Sequence, residues 1–508
     1  MQHRAATGAD ATALAQRLPP ALTVSVLAAA AAAGVVVVRH GELLVLGPEL
    51  TPADVLGAAA AALVGVLLVV RPAFALVAVV LFVELHLSEV LVRFHGLPSL
   101  LRLLSVPFAV LVLLSRPPGE LARLLRRPLL VLLSAHAALA AASSFWAAEP
   151  EIALAAASSS IKASFVALVA AVLLDSLARL RVALWSAVGA GSLLGTLAIL
   201  QAGSGRYDLD FGGLARVKLA QIWGDVFHAR VAGPLGDPNF FAQALVVLVP
   251  MALALGWTAR RRREAALAFG ATLVLLAAIG LTYSRGAAVA AAVALALSFL
   301  GHGIDLRRAL AAALLVAVVF VGLPEDLGRR LSTLSEVVGD PEGESLHPDS
   351  SFAKRRLVTR AAWRMFLDHP WAGVGAGNYS ARFAPYGDLV GSPAQDYDDP
   401  GERHFPHSFV LEVAAESGVV GLALMAAIVA AALATVVRSA RRFERGGSRG
   451  AATLARALGI GLVAYLIASL FLHLRFERYL WLLFGLVAAL PGLALSQRRG
   501  EGDAEGAE

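Results

Sequence analysis

No cysteine occurs among the 508 residues. Disulfides, thiolate nucleophiles and Cys-based metal sites are therefore excluded. Charge is scarce as well. Asp, Glu, Lys and Arg make up 16% of the chain, against about 25% in soluble globular domains. Hydrophobic residues make up 58% and the mean hydropathy is +0.72, so there is too little polar surface to wrap a water-soluble fold. That balance excludes a soluble enzyme, a secreted disulfide scaffold and a disordered chain. Lysine is nearly missing, present only at Lys162, Lys218 and Lys354, so the net charge of +6 is carried by arginine. The arginines cluster between apolar runs, a pattern of membrane orientation rather than nucleic-acid binding. The predicted class is an all-α polytopic membrane protein with about 12–14 transmembrane helices.

A bilayer span needs about 20 apolar residues. Suitable runs are Pro20–Val38, Val55–Val70, Pro72–Val92, Leu100–Leu114, Pro128–Phe145, Ile152–Leu174 and Val182–Gln201. They continue at Phe240–Trp257, Ala265–Tyr283, Gly286–Leu300, Ala309–Leu323, Ser408–Val437, Thr453–His473 and Tyr479–Leu495. The first run follows Arg17 and is Ala-rich like a signal peptide, but its length favours a retained span. Arginines at 4 and 17, 71, 116–127, 179–181, 260–263, 307–308, 438–449 and 498–499 all fall on one side of this arrangement. The positive-inside rule makes that side, with both termini, cytoplasmic.

The opposite side carries two long polar loops, 202–239 and 324–407. Within the second, Ala353–Leu367 has a helical period. Leu357, Ala361 and Met365 share one stripe, and Arg356, Arg360 and Arg364 another. It reads as an amphipathic helix lying on the membrane face or capping a cavity.

Four external elements could carry chemistry. Arg230 precedes GPLGDPN, where Asp237 or Asn239 can cap the following helix. Arg285 lies in the tight turn Ser284-Arg285-Gly286, with no loop to carry it into water, which is costly unless it meets a polar cavity or an anion. For both, anchoring to lipid headgroups is the alternative reading. His407 sits where the long loop meets a span, and a neutral imidazole there can act as a general base; the alternative is a loop histidine bonded to backbone. His404 and His407 with Asp396, Asp398 and Asp399 lack metal-ligand spacing, so no metal is expected. GVGAG at Gly373–Gly377 follows no strand, so it reads as a turn and not a dinucleotide loop. In HLRFER, His473–Arg478, Arg475 or Arg478 could meet an anionic ligand. Glu84, His86, Glu89 and Lys162 are ionisable groups inside apolar runs.

His407-Ser408, nine residues, Gly418, two residues and Gly421 resembles the signature of bacterial O-antigen ligases. Arg230 before GPLGDPN is similar to that family's Arg-x-x-Gly element, with Asp237 where Asn is more usual. Ser284-Arg285-Gly286 resembles its Ser-Arg-Gly turn. Arg360-Ala-Ala-Trp363 with HPWAGVGAGNY is similar to the region ahead of the histidine. The resemblance covers roughly 230–422, and the superfamily also holds O-antigen polymerases and protein O-oligosaccharyltransferases.

The resemblance implies a metal-independent, inverting glycan transfer from undecaprenyl pyrophosphate to an acceptor hydroxyl, without a cofactor. His407 would be the general base, Arg230 and Arg285 would bind pyrophosphate, and Arg360 and Arg478 are further candidates for substrate binding. The expected partners are the undecaprenyl-pyrophosphate-linked glycan donor, a lipid A–core or other glycan acceptor and the bilayer, with no nucleic acid. The implied location is the bacterial inner membrane with the site facing the periplasm. Three segments follow: N-terminal helices over 1–201, a ligase-like core over 202–437, and C-terminal helices with a cytoplasmic tail over 438–508. A competing class, a polysaccharide flippase, would use Lys162, Glu84 and Glu89 and would not need His407.

Overall fold

The computed structural model describes residues 72–96, 100–223, 226–303, 350–390, 404–473 and 477–505. The expected spans at Pro20–Val38, Val55–Val70 and Ala309–Leu323 lie outside them, as do Arg475, Asp396, Asp398 and Asp399. The architecture is an all-α bundle with one small hairpin. In chain order the helices are α1 Pro72–Glu84, α2 Leu87–His95, α3 Leu100–Leu114, α4 Pro118–Leu125, α5 Pro128–Ala142, α6 Pro150–Leu173 and α7 Leu177–Ser204. After strands β1 Val217–Trp223 and β2 Val226–Val231 come α8 Pro238–Trp257, α9 Arg262–Leu281, α10 Arg285–Gly301, α11 Ser350–Asp368 and α12 Phe383–Leu389. Helices α13 Phe409–Arg445, α14 Arg449–Ser469 and α15 Glu477–Glu505 complete the chain.

Among the described residues, eight helices are long and apolar enough to cross a membrane, or nine if the bent pair α1–α2 is one span. The protein is thus a multi-pass membrane protein. The apolar run at 72–92 was expected as one span, but it breaks with a 60° bend. His86 takes a left-handed φ of 54° at the break, and its Nε2 lies 2.5 Å from Glu89 Oε2. Glu84 is buried there, and its carbonyl accepts from the Tyr479 hydroxyl at 3.4 Å. Lys162 lies on an exposed face of α6.

Helix α8 is the axis of the bundle. It is apolar all round, as a helix enclosed by others must be, and it packs against α7, α9, α10 and α14. At one end, arginines cap the helices. Arg116 donates to the carbonyls of Val172 (3.0 Å) and Leu174 (3.4 Å), and Arg179 to that of Leu173 (3.1 Å). Arg181 bonds Thr258 O at 3.0 Å and Glu264 at 3.3 Å. The last carbonyls of a helix have no partner within it and carry negative partial charge, so these cations both satisfy and neutralise them.

The other end carries the hairpin, α11 and α12. The 202–239 segment, read from sequence as a polar loop, folds in part into antiparallel β1–β2, with Lys218 opposite Arg230. Helix α11 forms as expected, but its stripe does not lie on a membrane. Leu357, Ala361 and Met365 are buried with Val358 and Ala362 against Val374, Tyr379, Phe383 and Ala415. A different face is exposed, with Trp363 and Leu367 half in the open beside Arg360 and Arg364. Trp146, just past the span that ends at Phe145, donates its Nε1–H to Ala372 O at 3.3 Å, so the segment after α11 lies level with that span's end. Aromatic and arginine side chains together favour the headgroup region. The chain has no native cysteine, so spin labels can be placed singly at Trp363→Cys, Leu367→Cys and Asp388→Cys in liposomes. Labels at 363 and 367 are expected to be more accessible to oxygen than to a water-soluble nickel chelate. Label 388 should show the reverse, and equal aqueous exposure of all three would refute the interfacial placement.

Candidate active site

Four segments meet at the end of the bundle that bears the hairpin. The start of α8 supplies most of the framework. Asp237 is its N-cap, accepting from the N–H groups of Asn239 (2.9 Å) and Phe240 (3.4 Å), with Pro238 at the first turn where its missing N–H costs nothing. Asp237 also pairs with Lys218 on β1 at 3.5 Å. Burial pushes its carboxyl up, but Lys218, the two N–H groups and Arg230 outweigh burial and leave it below the usual range.

Arg230 on β2 ties this corner to the α9–α10 turn. Its Nε donates to Thr282 O at 2.8 Å, and one Nη to Asn239 Oδ1 at 3.1 Å and Tyr283 O at 3.5 Å. Tyr283 is left-handed, with φ of 52°, a conformation costing a non-glycine residue about 1–2 kcal/mol. Arg285 opens α10 right behind it. At Gly286 a Cβ would stand 2.9 Å from the Phe471 ring, so the turn needs glycine to seat against the chain leaving α14.

His407 closes the cluster from the start of α13. It too is left-handed, φ 47°. Burial, with Arg355 and Lys218 nearby and against the pull of Asp237, lowers its pKa from the usual 6.5 to about 4. The imidazole is therefore neutral at physiological pH. On the neighbouring turn of α11 from Arg355, Thr359 Oγ1 donates to Pro406 O at 3.4 Å, beside His407.

The helix that follows His407 is broken at Gly418 (φ 62°, ψ −159°). The groups released by the break are taken by the HPWAGVG segment. Val374 N–H donates to Ala415 O (2.9 Å), Gly375 N–H to Glu416 O (3.0 Å), and Val419 N–H to Pro370 O (2.8 Å). Glu416 accepts from the N–H groups of Gly377 (2.7 Å) and Tyr379 (3.2 Å). On its other side Asn378 Oδ1 accepts from Glu149 N–H at 2.8 Å, and Ser143 Oγ from Ala376 N–H at 3.0 Å. GVGAGN is thus a clasp between α5–α6 and α13, not a ligand loop.

Of the residues singled out from sequence, Arg230, Arg285 and His407 are brought together through these contacts. Arg360 stands exposed on α11, and Arg478 begins α15 beside Tyr479. The sequence reading passed over His473, which is buried. Its ring stacks on Phe405 (4.0 Å, 5°), takes the edge of Phe240 (4.9 Å, 88°) and meets His407 edge-on at 5.8 Å. Lys218 and Arg355 were also passed over. The alternation of β1, Val217–Lys218–Leu219, was the available signal for the first; nothing local marks His473.

Gly418→Ala would place a Cβ 2.4 Å from the Trp371 carbonyl group in a left-handed conformation, at a cost of about 2–5 kcal/mol. A clearly lower thermal midpoint is expected, while Gly189→Ala, whose Cβ meets nothing, should leave it unchanged or raised. For His407, the base form prevails above about pH 4. A His407-dependent reaction should keep most of its kcat/KM, which reports the donor-free protein, at about pH 5.5, where an ordinary imidazole of pKa about 6.5 is mostly protonated. A kcat/KM profile with its acid limb at the ordinary value would contradict this.

No curated protein matches the chain. Residues 270–426 match the sequence model of the family described as O-antigen ligase. The matched segment contains Arg285, the clasp, His407 and Gly418, and leaves Arg230, Asp237 and His473 outside it. An all-helical multi-pass bundle thus carries, over residues 270–426, a segment similar to the O-antigen ligase family.

Proposed function

We propose that the chain is a membrane glycosyltransferase that moves a glycan from undecaprenyl pyrophosphate to an acceptor hydroxyl on the periplasmic side of the inner membrane. The observation that carries this reading is one juxtaposition. A partly buried, neutral His407 stands at the same end of the bundle as the Arg285 turn, with Arg230 holding that turn in place. The match to the O-antigen ligase family supports it.

The reaction is a single displacement. His407 takes the proton as the acceptor oxygen attacks the anomeric carbon. The bond from that carbon to the pyrophosphate oxygen breaks, and its electron pair leaves with the lipid pyrophosphate. Attack opposite the leaving group inverts the anomeric centre. Arg285 and Arg230 face the charge that grows on the leaving group, a preorganised neutralisation worth about 2.7–4 kcal/mol per donor in comparable sites. Guanidinium suits this task because it is always charged and matches phosphate oxygens two at a time. Arg230 already spends Nε and one Nη on the turn, so it acts at least as much by holding Arg285 as by touching the ligand. Two fixed cations supply the neutralisation a divalent metal would, and the pyrophosphate linkage stores the energy, so neither metal nor ATP is required.

A free imidazole with a pKa near 4 is a weak base at neutral pH. Lys218 and Arg355 help to hold it there. A pyrophosphate arriving beside these cations offsets their charge and makes His407 more basic when the donor is in place. Arg360 and Arg478, further out, are assigned to the glycan or the acceptor.

The test is transfer by purified protein in EDTA, with undecaprenyl-pyrophosphate-linked glycan as donor, with and without lipid A–core. Transfer to lipid A–core that survives EDTA and falls by about 10²–10⁴-fold in His407→Ala is the expected result. Longer glycans made without that acceptor would assign polymerisation instead. Wild-type rates in His407→Ala would sink the reading.

A further inference from the structure

His473 is a group that the proposed chemistry does not use, although its ring packs against that of His407. Three rings surround it: Phe405 on one face, Phe240 edge-on, and His407 edge-on at 5.8 Å with 75° between the planes. Such offset and T-shaped pairs favour a defined geometry. The chain that carries His473 is fixed from both sides. Ser469, at the end of α14, accepts from Gln243 Nε2 of α8 at 2.6 Å. Phe471 fills the space over Gly286. One short turn, 470–473, therefore touches the Arg285 turn at one point and the His407 ring at another. Gln243 lies one helical turn below Asn239, the acceptor of Arg230, so α8 sets the height of both.

We propose that His473 is a positioning residue, whose ring fixes the orientation of His407 and its distance from the Arg285 turn by packing rather than by proton transfer. The inference rests on the reading of His407 as the base. The groups facing His407 are Arg355 from α11, Asp237 from the cap of α8, Lys218 from β1 and His473 itself. Of these, His473 is the one whose ring packs edge-on against the imidazole.

The test uses full-length protein and three variants: His473→Ala, His473→Phe and His407→Ala. The first readout needs no substrate. Diethyl pyrocarbonate modifies neutral imidazole, and its rate at His407 is followed by mass spectrometry against pH. In wild type and His473→Phe the modification is expected to be slow and to persist to about pH 5. In His473→Ala it is expected to be several-fold faster, with its midpoint moved up toward the ordinary histidine value of about 6.5. The second readout is transfer. A displaced base can cost up to about 100-fold, so kcat should fall in His473→Ala with the donor KM unchanged, and Phe should restore most of it. A merely structural role would lower the folded fraction without moving the midpoint. Wild-type reactivity and kcat in His473→Ala would overturn the inference. So would a His473→Phe variant as inactive as His473→Ala, because the imidazole itself would then be needed. If instead His407→Ala transfers normally, it is the assignment of His407 that fails.

Discussion

The break at Gly418 is the constraint on which the rest of this end of the molecule depends. An unbroken helix from 409 onward would satisfy its own backbone and would offer nothing to the HPWAGVG segment. Once φ turns positive at Gly418, two carbonyls and two N–H groups are released, and each one must find a partner in a place with little water. The segment 370–375 supplies them. Glu416 and Asn378 then hold the next residues from both sides. The consequence is geometric: the first two turns of α13, which directly follow His407, are referenced to α11 and to α5–α6 rather than only to the span below them.

The strain at the site follows the same logic. Four non-glycine residues take positive φ among the described residues, and two of them, Tyr283 and His407, stand in the cluster. Strained backbone persists where its surroundings over-determine it. Arg230 does that for Tyr283 by accepting the duty of bonding Thr282 O and Tyr283 O. Around His407 the work is shared by Pro406, held from α11, and by the stacked rings of Phe405 and His473. The electrostatics then favour a neutral imidazole beside a cationic turn. Asp237 is the acid facing His407, and Lys218 and its own cap bonds already occupy it.

Much of this was legible in the sequence because a membrane leaves few options. The helices at 100–114 and 128–145 run between the residues where the apolar runs begin and end. The stripe of Leu357, Ala361 and Met365 fixed the period of α11. What it could not fix was the surface that the stripe meets, since a bilayer and the Tyr379–Phe383–Ala415 cluster are equally apolar. The bend at His86 was hidden for a similar reason: PAFALVAVVLFVELHLSEV has no proline or glycine at the break. The hairpin was missed inside a segment judged by its polarity and length, although β1 and β2 are rich in β-branched and aromatic residues. The contacts of His473 were beyond reach, because Phe240, Phe405 and His407 come to it from distant parts of the chain.

The bent pair α1–α2 has a bearing on what counts as a module here. Helix α2 turns across the end of the bundle, where His95 Nε2 lies 3.1 Å from Gly212 O and the Phe94 ring lies under the Arg216 guanidinium at 5.5 Å. Arg216 in turn fills the space over Gly236, next to Asp237. The N-terminal half is thereby leashed to the strand that bears Arg230. The segment that matches the family model, 270–426, is therefore not a unit of folding by itself. Transplanted between relatives, it would bring its histidine and its Ser-Arg-Gly turn, and would leave behind the hairpin, the cap of α8 and the ring behind His407. Exchanging specificity within such a scaffold means moving surfaces from three parts of the chain at once, and that coupling limits how freely the outer loops can diverge.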